Sequence, residues 1–141
     1  MTLHHVSIRT ADIHRAIAFY ECLGFEMDTR FTTGYTLACW LKGWGTRVEL
    51  LQVPEPHTAP DAFADEHYVG YYHLSFDLSD HQEPLDTWLS HLEATLTTHN
   101  LPFQLLLKPT QQIIGTSLYH IAFLRDCDGL PLEFLQRLGT F

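Results

Sequence analysis

The sequence predicts an α+β fold built from two tandem β-α-β-β-β modules that form a cupped mixed sheet with helices on its outer face. Two observations carry this: one residue pattern occurs twice, and the same order of helix and strand signals lies inside each copy. The opening His5-Val6-Ser7-Ile8-Arg9-Thr10-Ala11-Asp12 is answered by His73-Leu74-Ser75-Phe76-Asp77-Leu78-Ser79-Asp80, with His, Ser and Asp in register. The close of each copy also matches, Arg47-Val48-Glu49-Leu50-Leu51-Gln52 against Pro131-Leu132-Glu133-Phe134-Leu135-Gln136. The second copy is the longer internally.

The elements follow in order. After Asp12, an N-cap residue type, Ile13, Ala16, Ile17 and Tyr20 fall at helical spacing until Gly24 stops the helix. Strand-like segments cover Phe25 to Phe31, Tyr35 to Leu41 and Arg47 to Val53. In the second copy Leu85, Trp88, Leu89, Leu92 and Leu96 follow Asp80 at helical spacing, and Asn100-Leu101-Pro102 ends the run. Strands then cover Phe103 to Leu107, Ser117 to Leu124 and Leu130 to Gln136. Gly43-Trp44-Gly45 and Asp126-Cys127-Asp128-Gly129 read as hairpin turns before the last strand of each copy. The expected organisation is one domain over 1–141, with module 1 at 1–53, a proline-bearing linker at 54–70 and module 2 at 71–141.

Composition narrows the function classes. The chain has 141 residues, enough for one core shared by both modules and too few for two independent domains. Seventeen acids against eight bases give a net charge of −9, and no run of Lys or Arg is present to follow a phosphate backbone, so nucleic acid is not an expected partner. No apolar stretch approaches the ~20 residues of a membrane span, and the N-terminus lacks the basic flank and apolar stretch of a signal peptide; a cytoplasmic location is expected. Cys22, Cys39 and Cys127 are widely spaced and suggest neither a disulfide framework nor a thiolate zinc site.

Strand parity singles out two of the ten histidines and two of the 17 acids. Side chains alternate between the faces of a strand. With Val6 and Ile8 turned toward the helix, His5, Ser7 and Arg9 face the other way, and with Val48 and Leu50 inward, Glu49 joins them. His73 and Glu133 hold the same places in the second module. A carboxylate in an otherwise apolar strand is costly unless something satisfies it. Two of them, each matched by a histidine, suggest that His5, Glu49, His73 and Glu133 share a divalent cation such as Ni, Zn, Co, Mn or Fe, with positions left open for substrate oxygens. The bland alternative is a pair of surface His–Glu ion pairs. His4 has the wrong parity and is expected beside the helix. His120 lies in a strand beside the proposed cup, as a supporting acid or base or as a structural residue. Trp40, Trp44, Phe31 and Tyr35 read either as pocket lining or as core.

The stretch HHVSIRTADIHRAIAFYECLGFE resembles the opening of vicinal oxygen chelate proteins, the superfamily of glyoxalase I, methylmalonyl-CoA epimerase, extradiol dioxygenases and bleomycin-binding proteins. IAFLRDCDGLPLEFLQ resembles their closing strand pair, with Cys127 where the family has proline in the turn before the ligand Glu. The resemblance implies ligands at His5, Glu49, His73 and Glu133, and a homodimer. It implies a metal that holds two vicinal oxygens of a small-molecule substrate and stabilises an enediolate while Glu133, with Glu49 as its counterpart, moves the proton. In the glyoxalase I-like form the substrate is the hemithioacetal of a 2-oxoaldehyde with glutathione or a related thiol, and Arg9 meets a substrate carboxylate; a simple ion pair is the other reading of Arg9. One departure is Val53, close to where the glutathione-contacting asparagine is expected. The long stretch from Glu49 to His73 resembles methylmalonyl-CoA epimerase instead. An extradiol dioxygenase would use His5, His73 and Glu133 around iron, but its assisting tyrosine falls on Phe123. A non-catalytic drug-binding protein is the reading from a different class, and four intact ligand positions weigh against it.

Overall fold

In the computed structural model, which describes residues 1–140, apolar periodicity resolves into eight strands and two helices. The first half contains β1 (Val6–Arg9), α1 (Ile13–Cys22), β2 (Glu26–Thr33), β3 (Thr36–Gly43) and β4 (Thr46–Gln52). The second contains β5 (Leu74–Asp77), α2 (Leu85–Thr98), β6 (Leu105–Ile114), β7 (Ser117–Arg125) and β8 (Pro131–Thr140). Each half reads β-α-β-β-β, and the α+β class is as the sequence predicts. Met1–Ala59 and Pro60–Phe141 form two compact units.

In the first unit the sheet order is β1-β4-β3-β2, with β1 parallel to β4 and the remaining pairs antiparallel. α1 starts where the sequence places it, because the Asp12 side chain accepts from Arg15 N at 3.1 Å and covers an otherwise unpaired helical donor. Its buried face of Ile13, Ala16, Ile17 and Tyr20 packs on β3 and β4, where Cys39, Leu41, Val48 and Leu50 are also buried. Full burial of each such Leu or Ile contributes about 1.5–3 kcal/mol. Gly24 ends the helix at φ +108°, a backbone region hostile to side chains. Trp44 and Gly45 form the β3–β4 turn with φ of 54° and 74°, and the Trp44 indole N–H donates to Leu23 O at 3.0 Å, tying turn to helix end.

The second unit repeats the order as β5-β8-β7-β6, with β5 parallel to β8. Leu85, Leu89, Leu92 and Leu96 form the buried face of α2, which packs on β8. α2 begins at Leu85, the first residue of the expected helical spacing, where Pro84 takes the N-cap position with no side-chain cap and its fixed φ suits entry into a helix. One detail departs from expectation: the strand read as ending at Leu107 continues to Ile114, running through Pro109. It tolerates the proline because β6 lies at the sheet edge and its pairing shifts register between Leu107 and Thr110. From the stretch read as a linker, Phe63 packs on Phe123 with ring centroids 5.5 Å apart, and Asp61 pairs with Arg125 at 3.4 Å. No helix among the described residues is long and apolar enough to cross a membrane.

Candidate metal centre

In each unit one row of side chains crosses the sheet on the face opposite the helix. Parallel pairing sets Ser7 beside Glu49, and antiparallel pairing sets Trp40 on its other side. Ser7 Oγ donates to Glu49 Oε1 at 2.7 Å, and the Trp40 indole donates to Oε2 at 2.7 Å. His5 precedes β1 by one residue, and its Nε2 stands 3.5 Å from Glu49 Oε1. The second unit sets Ser75 and Phe123 on either side of Glu133. Ser75 Oγ donates to Glu133 Oε1 at 2.6 Å, and His73 Nε2 stands 3.7 Å from that same oxygen. Thus each unit brings its own His and Glu together.

Those separations bear on the donor set. Good N–H···O hydrogen bonds run to about 3.2 Å, and 3.5 and 3.7 Å exceed that. Two ligands held about 2.1 Å from one tetrahedral ion stand roughly 3.4 Å apart. An imidazole and a carboxylate at this spacing, with Nε2 turned to the oxygen, therefore fit a borderline divalent metal. The Nδ1 of His5 lies 2.7 Å from Nδ1 of His4, so one of the two rings carries the bridging proton. Ligation through Nε2 would leave that proton on His5, the arrangement by which an outer partner orients a metal-bound histidine. Nδ1 of His73 is buried with no hydrogen-bond partner.

Burial works against ionisation of Glu49. The Trp40 and Ser7 hydrogen bonds, followed by the nearby His5 and His4, outweigh it and hold its carboxyl below the usual value of 4.5. Burial raises the Tyr72 phenol, and the charge of Glu133 raises it further. Tyr72 stacks on Phe123 at 6.1 Å and meets His73 edge-on at 4.5 Å, so Tyr72, Phe63 and Phe123 form an aromatic wall beside the second pair.

Several sequence readings are corrected here. His4 lies on the site side, edge-on to Trp40 at 4.9 Å, and not beside the helix. It precedes β1, so strand alternation does not govern it. His120 is no neighbour of the carboxylate row. It shares its register with Gln136 and faces α2, with Nε2 4.0 Å from Asp86 Oδ2. Trp40 binds the carboxylate, Phe31 meets the Trp40 ring edge-on at 5.3 Å, and Tyr35 is 91% exposed beside Gly34. Arg9 is exposed on the Glu49 face and makes no ion pair among the described residues. Sequence reasoning missed Ser7, Ser75 and Trp40. The serines were visible in the repeat, and strand register alone identifies the tryptophan.

Asp126, Cys127 and Asp128 also bring three potential ligand atoms within 4.8 Å of one another. Asp126 Oδ1 already accepts from the backbone N–H of Asp128 and of Leu130, both at 2.9 Å, so this group builds the β7–β8 turn.

The comparisons with known proteins agree with this architecture. A family model described as Glyoxalase/Bleomycin resistance protein/Dioxygenase superfamily matches residues 2–134. No curated protein matches the chain. Among solved structures, a glyoxalase family protein from Bacillus cereus superposes with a TM-score of 0.72 at 21% identity, covering 99% of this chain and 95% of that one. A glyoxalase family protein from Enterococcus faecalis gives 0.69 at 22% identity, covering 96% and 97%. A glyoxalase I mutant from Zea mays gives 0.67 at 20% identity, covering 96% of this chain and 44% of that one. At these identities the structures share the fold. With the family model spanning nearly the whole sequence, the chain belongs to the glyoxalase/bleomycin resistance protein/dioxygenase superfamily, the vicinal oxygen chelate proteins.

Proposed function

We propose that this protein is a metal-dependent lyase or isomerase of the glyoxalase I type, in which His5, Glu49, His73 and Glu133 hold one divalent ion. The observation that carries this reading is the matched imidazole–carboxylate pair in each half, at 3.5 and 3.7 Å, each carboxylate buttressed by a serine at the same register position. When bound, the ion supplies Lewis-acid stabilisation of negative charge on two adjacent substrate oxygens. The protein's own groups do the rest. Glu133, with Glu49 as its counterpart, takes a proton from carbon and returns it to the neighbouring carbon. The wall of Tyr72, Phe63 and Phe123 shields the second pair from water on one side. Arg9, exposed and without an acidic partner, receives a carboxylate of the substrate, the hemithioacetal of a 2-oxoaldehyde with glutathione or a related thiol. The active form is a homodimer.

The test combines metal analysis with turnover. Untagged wild-type protein should take up a divalent metal and form thioester from methylglyoxal and glutathione, followed by absorbance. Glu49→Gln and Glu133→Gln should each lose metal. A protein that takes up metal but makes no thioester loses this activity while keeping the site, whereas one that takes up none is a binding protein. Arg9→Ala should raise KM severalfold at unchanged kcat, since it removes binding shared by ground and transition states.

A further inference from the structure

We propose that the first unit carries a further small-molecule site, a cavity at the β3–β4 turn that binds the zwitterionic head of an α-amino acid. The cavity measures about 500 Å³, within the range of small-ligand pockets, and its wall includes Leu3, Glu26, Lys42, Gly43, Gly45 and Arg47. None of these belongs to the His–Glu pairs. Register puts the three charges in one row across the sheet: Glu26 on β2 pairs with Lys42 on β3, and Lys42 pairs with Arg47 on β4. Alternation sets that row on the face of Trp40 and Glu49, two residues away from them along β3 and β4. A Cβ placed on Gly45 would meet nothing within 4 Å, so the turn leaves its end of the cavity open.

The charges of the row are not spent on one another. The register shift between Met27 and Thr29 brings the Asp28 side chain to Arg47, whose Nε donates to Oδ2 at 3.2 Å. That contact balances the charge of Arg47 and steadies its guanidinium, while its two terminal nitrogens keep their donors for a ligand. Lys42 and Glu26 face each other across the strands, yet neither makes an ion pair among the described residues. A simple anion drawn to Lys42 would be repelled by Glu26 and Asp28, and a simple cation would meet the converse. A ligand with both charges on one carbon satisfies the whole row, its ammonium against Glu26 and its carboxylate between Lys42 and Arg47. In the second unit the chain supplies that carboxylate itself. Arg125 holds the register place of Lys42 and Pro131 that of Arg47, and Arg125 pairs with Asp61 at 3.4 Å. No acid of the chain reaches Lys42 among the described residues, so the carboxylate of the ligand takes the part that Asp61 plays there. Leu3 offers an apolar surface to an aliphatic side chain.

Three probes with a shared aliphatic chain separate the charges: L-norleucine carries both, hexanoate only the carboxylate and pentylamine only the ammonium. Each is titrated into the full-length protein and followed by backbone amide shifts. Norleucine should give its largest shifts at Gly43 and Gly45, not at Ser7 and Ser75 beside the two carboxylates. It should bind about 10–100-fold more tightly than either single-charge probe, the scale of losing one hydrogen bond between charged groups. Lys42→Gln and Glu26→Gln, both at exposed positions, should each weaken norleucine by a similar factor, whereas Lys108→Gln, an exposed charge of the second unit, should leave it unchanged. Either single-charge probe matching norleucine reduces the cavity to a plain ion site and overturns the inference. Shifts centred on Ser7 and Ser75 place the amino acid on the carboxylate row and overturn it as well. So does norleucine binding indifferent to both substitutions, or no shift at about 10 mM norleucine, beyond the millimolar range of a weak specific site. The same amide spectra report whether each variant is folded, and the three-probe comparison on wild type decides even where one is not.

Discussion

Two rows of the molecule can be laid side by side, residue for residue: Ser7, Glu49 and Trp40 in the first half, Ser75, Glu133 and Phe123 in the second. The rows agree in what places a carboxylate beside an imidazole and differ in what is left for that carboxylate to do. A hydroxyl at 2.7 or 2.6 Å orients each Oε1 toward its histidine. Among the described residues only the first row adds a second donor. The flanking positions diverge as well: Arg9 is exposed and makes no ion pair among the described residues, while its counterpart Asp77 is satisfied locally by Ser79 N at 2.8 Å. A repeated scaffold can thus keep its ligand frame twice over and specialise each copy through a single neighbouring side chain.

The largest contrast should come from the carboxylates themselves. Glu133→Gln, assayed with saturating metal, should lose about 10²–10⁴-fold in kcat, the contribution of a general base. Glu49→Gln should regain much of its activity when metal is supplied in excess, because its defect is binding. Equal and unrescued losses would make the two carboxylates equivalent. The serines sharpen the same contrast at smaller scale. Ser75→Ala removes the one hydroxyl that orients Glu133 and should weaken metal affinity by about 10–100-fold, as loss of outer-shell partners does. Ser7→Ala should cost less, since Trp40 still holds Glu49. Competition with a metal indicator measures both.

The comparison extends to the helices. Gln52 Oε1 accepts from Ile13 N at 2.8 Å, and Gln136 Oε1 accepts from Leu85 N at 2.9 Å, so in each half the last strand caps the helix. α1 also has the Asp12 cap, whereas Pro84 at the N-cap of α2 supplies no side-chain cap, and Gln136 additionally donates to Leu78 O and Glu83 O. Gln136→Leu should therefore destabilise by about 1–3 kcal/mol, the cost of stranding buried polar groups. Gln52→Leu should cost less, a difference that urea unfolding resolves.

The repeat, the β-α-β-β-β order and the positions of His5, Glu49, His73 and Glu133 on one face were legible because alternation and spacing are local properties of a strand or helix. What stayed hidden depends on which residues stand beside one another across a sheet. Trp40 reads as core or pocket lining in the sequence, and only the register that sets it against Glu49 reveals a donor. His120 reads as a neighbour of the site, yet its pairing with Gln136 puts it on the helix face. His4 fails for the opposite reason: parity was applied to a residue that lies before the strand begins.

The smallest expected effect isolates the indole. Burial alone would raise the Glu49 carboxyl, but Trp40, then Ser7, then His5 and His4, bring it below 4.5 in the folded chain. A lowered folded value means that the ionised form is favoured by folding. The stabilisation is fully present above the ordinary carboxylate value and is lost as pH falls through the lower folded one. Trp40→Phe removes the strongest of the lowering contacts. In metal-free protein the stability gap between wild type and variant should be open at neutral pH and narrow as pH drops below 4.5. His4 and His5 face the same carboxylate in both proteins, so their contributions enter both curves alike and largely cancel in the gap. Urea midpoints measured across this range provide the check. A gap independent of pH would assign Trp40 to packing alone, and the two rows would then differ in shape without differing in charge.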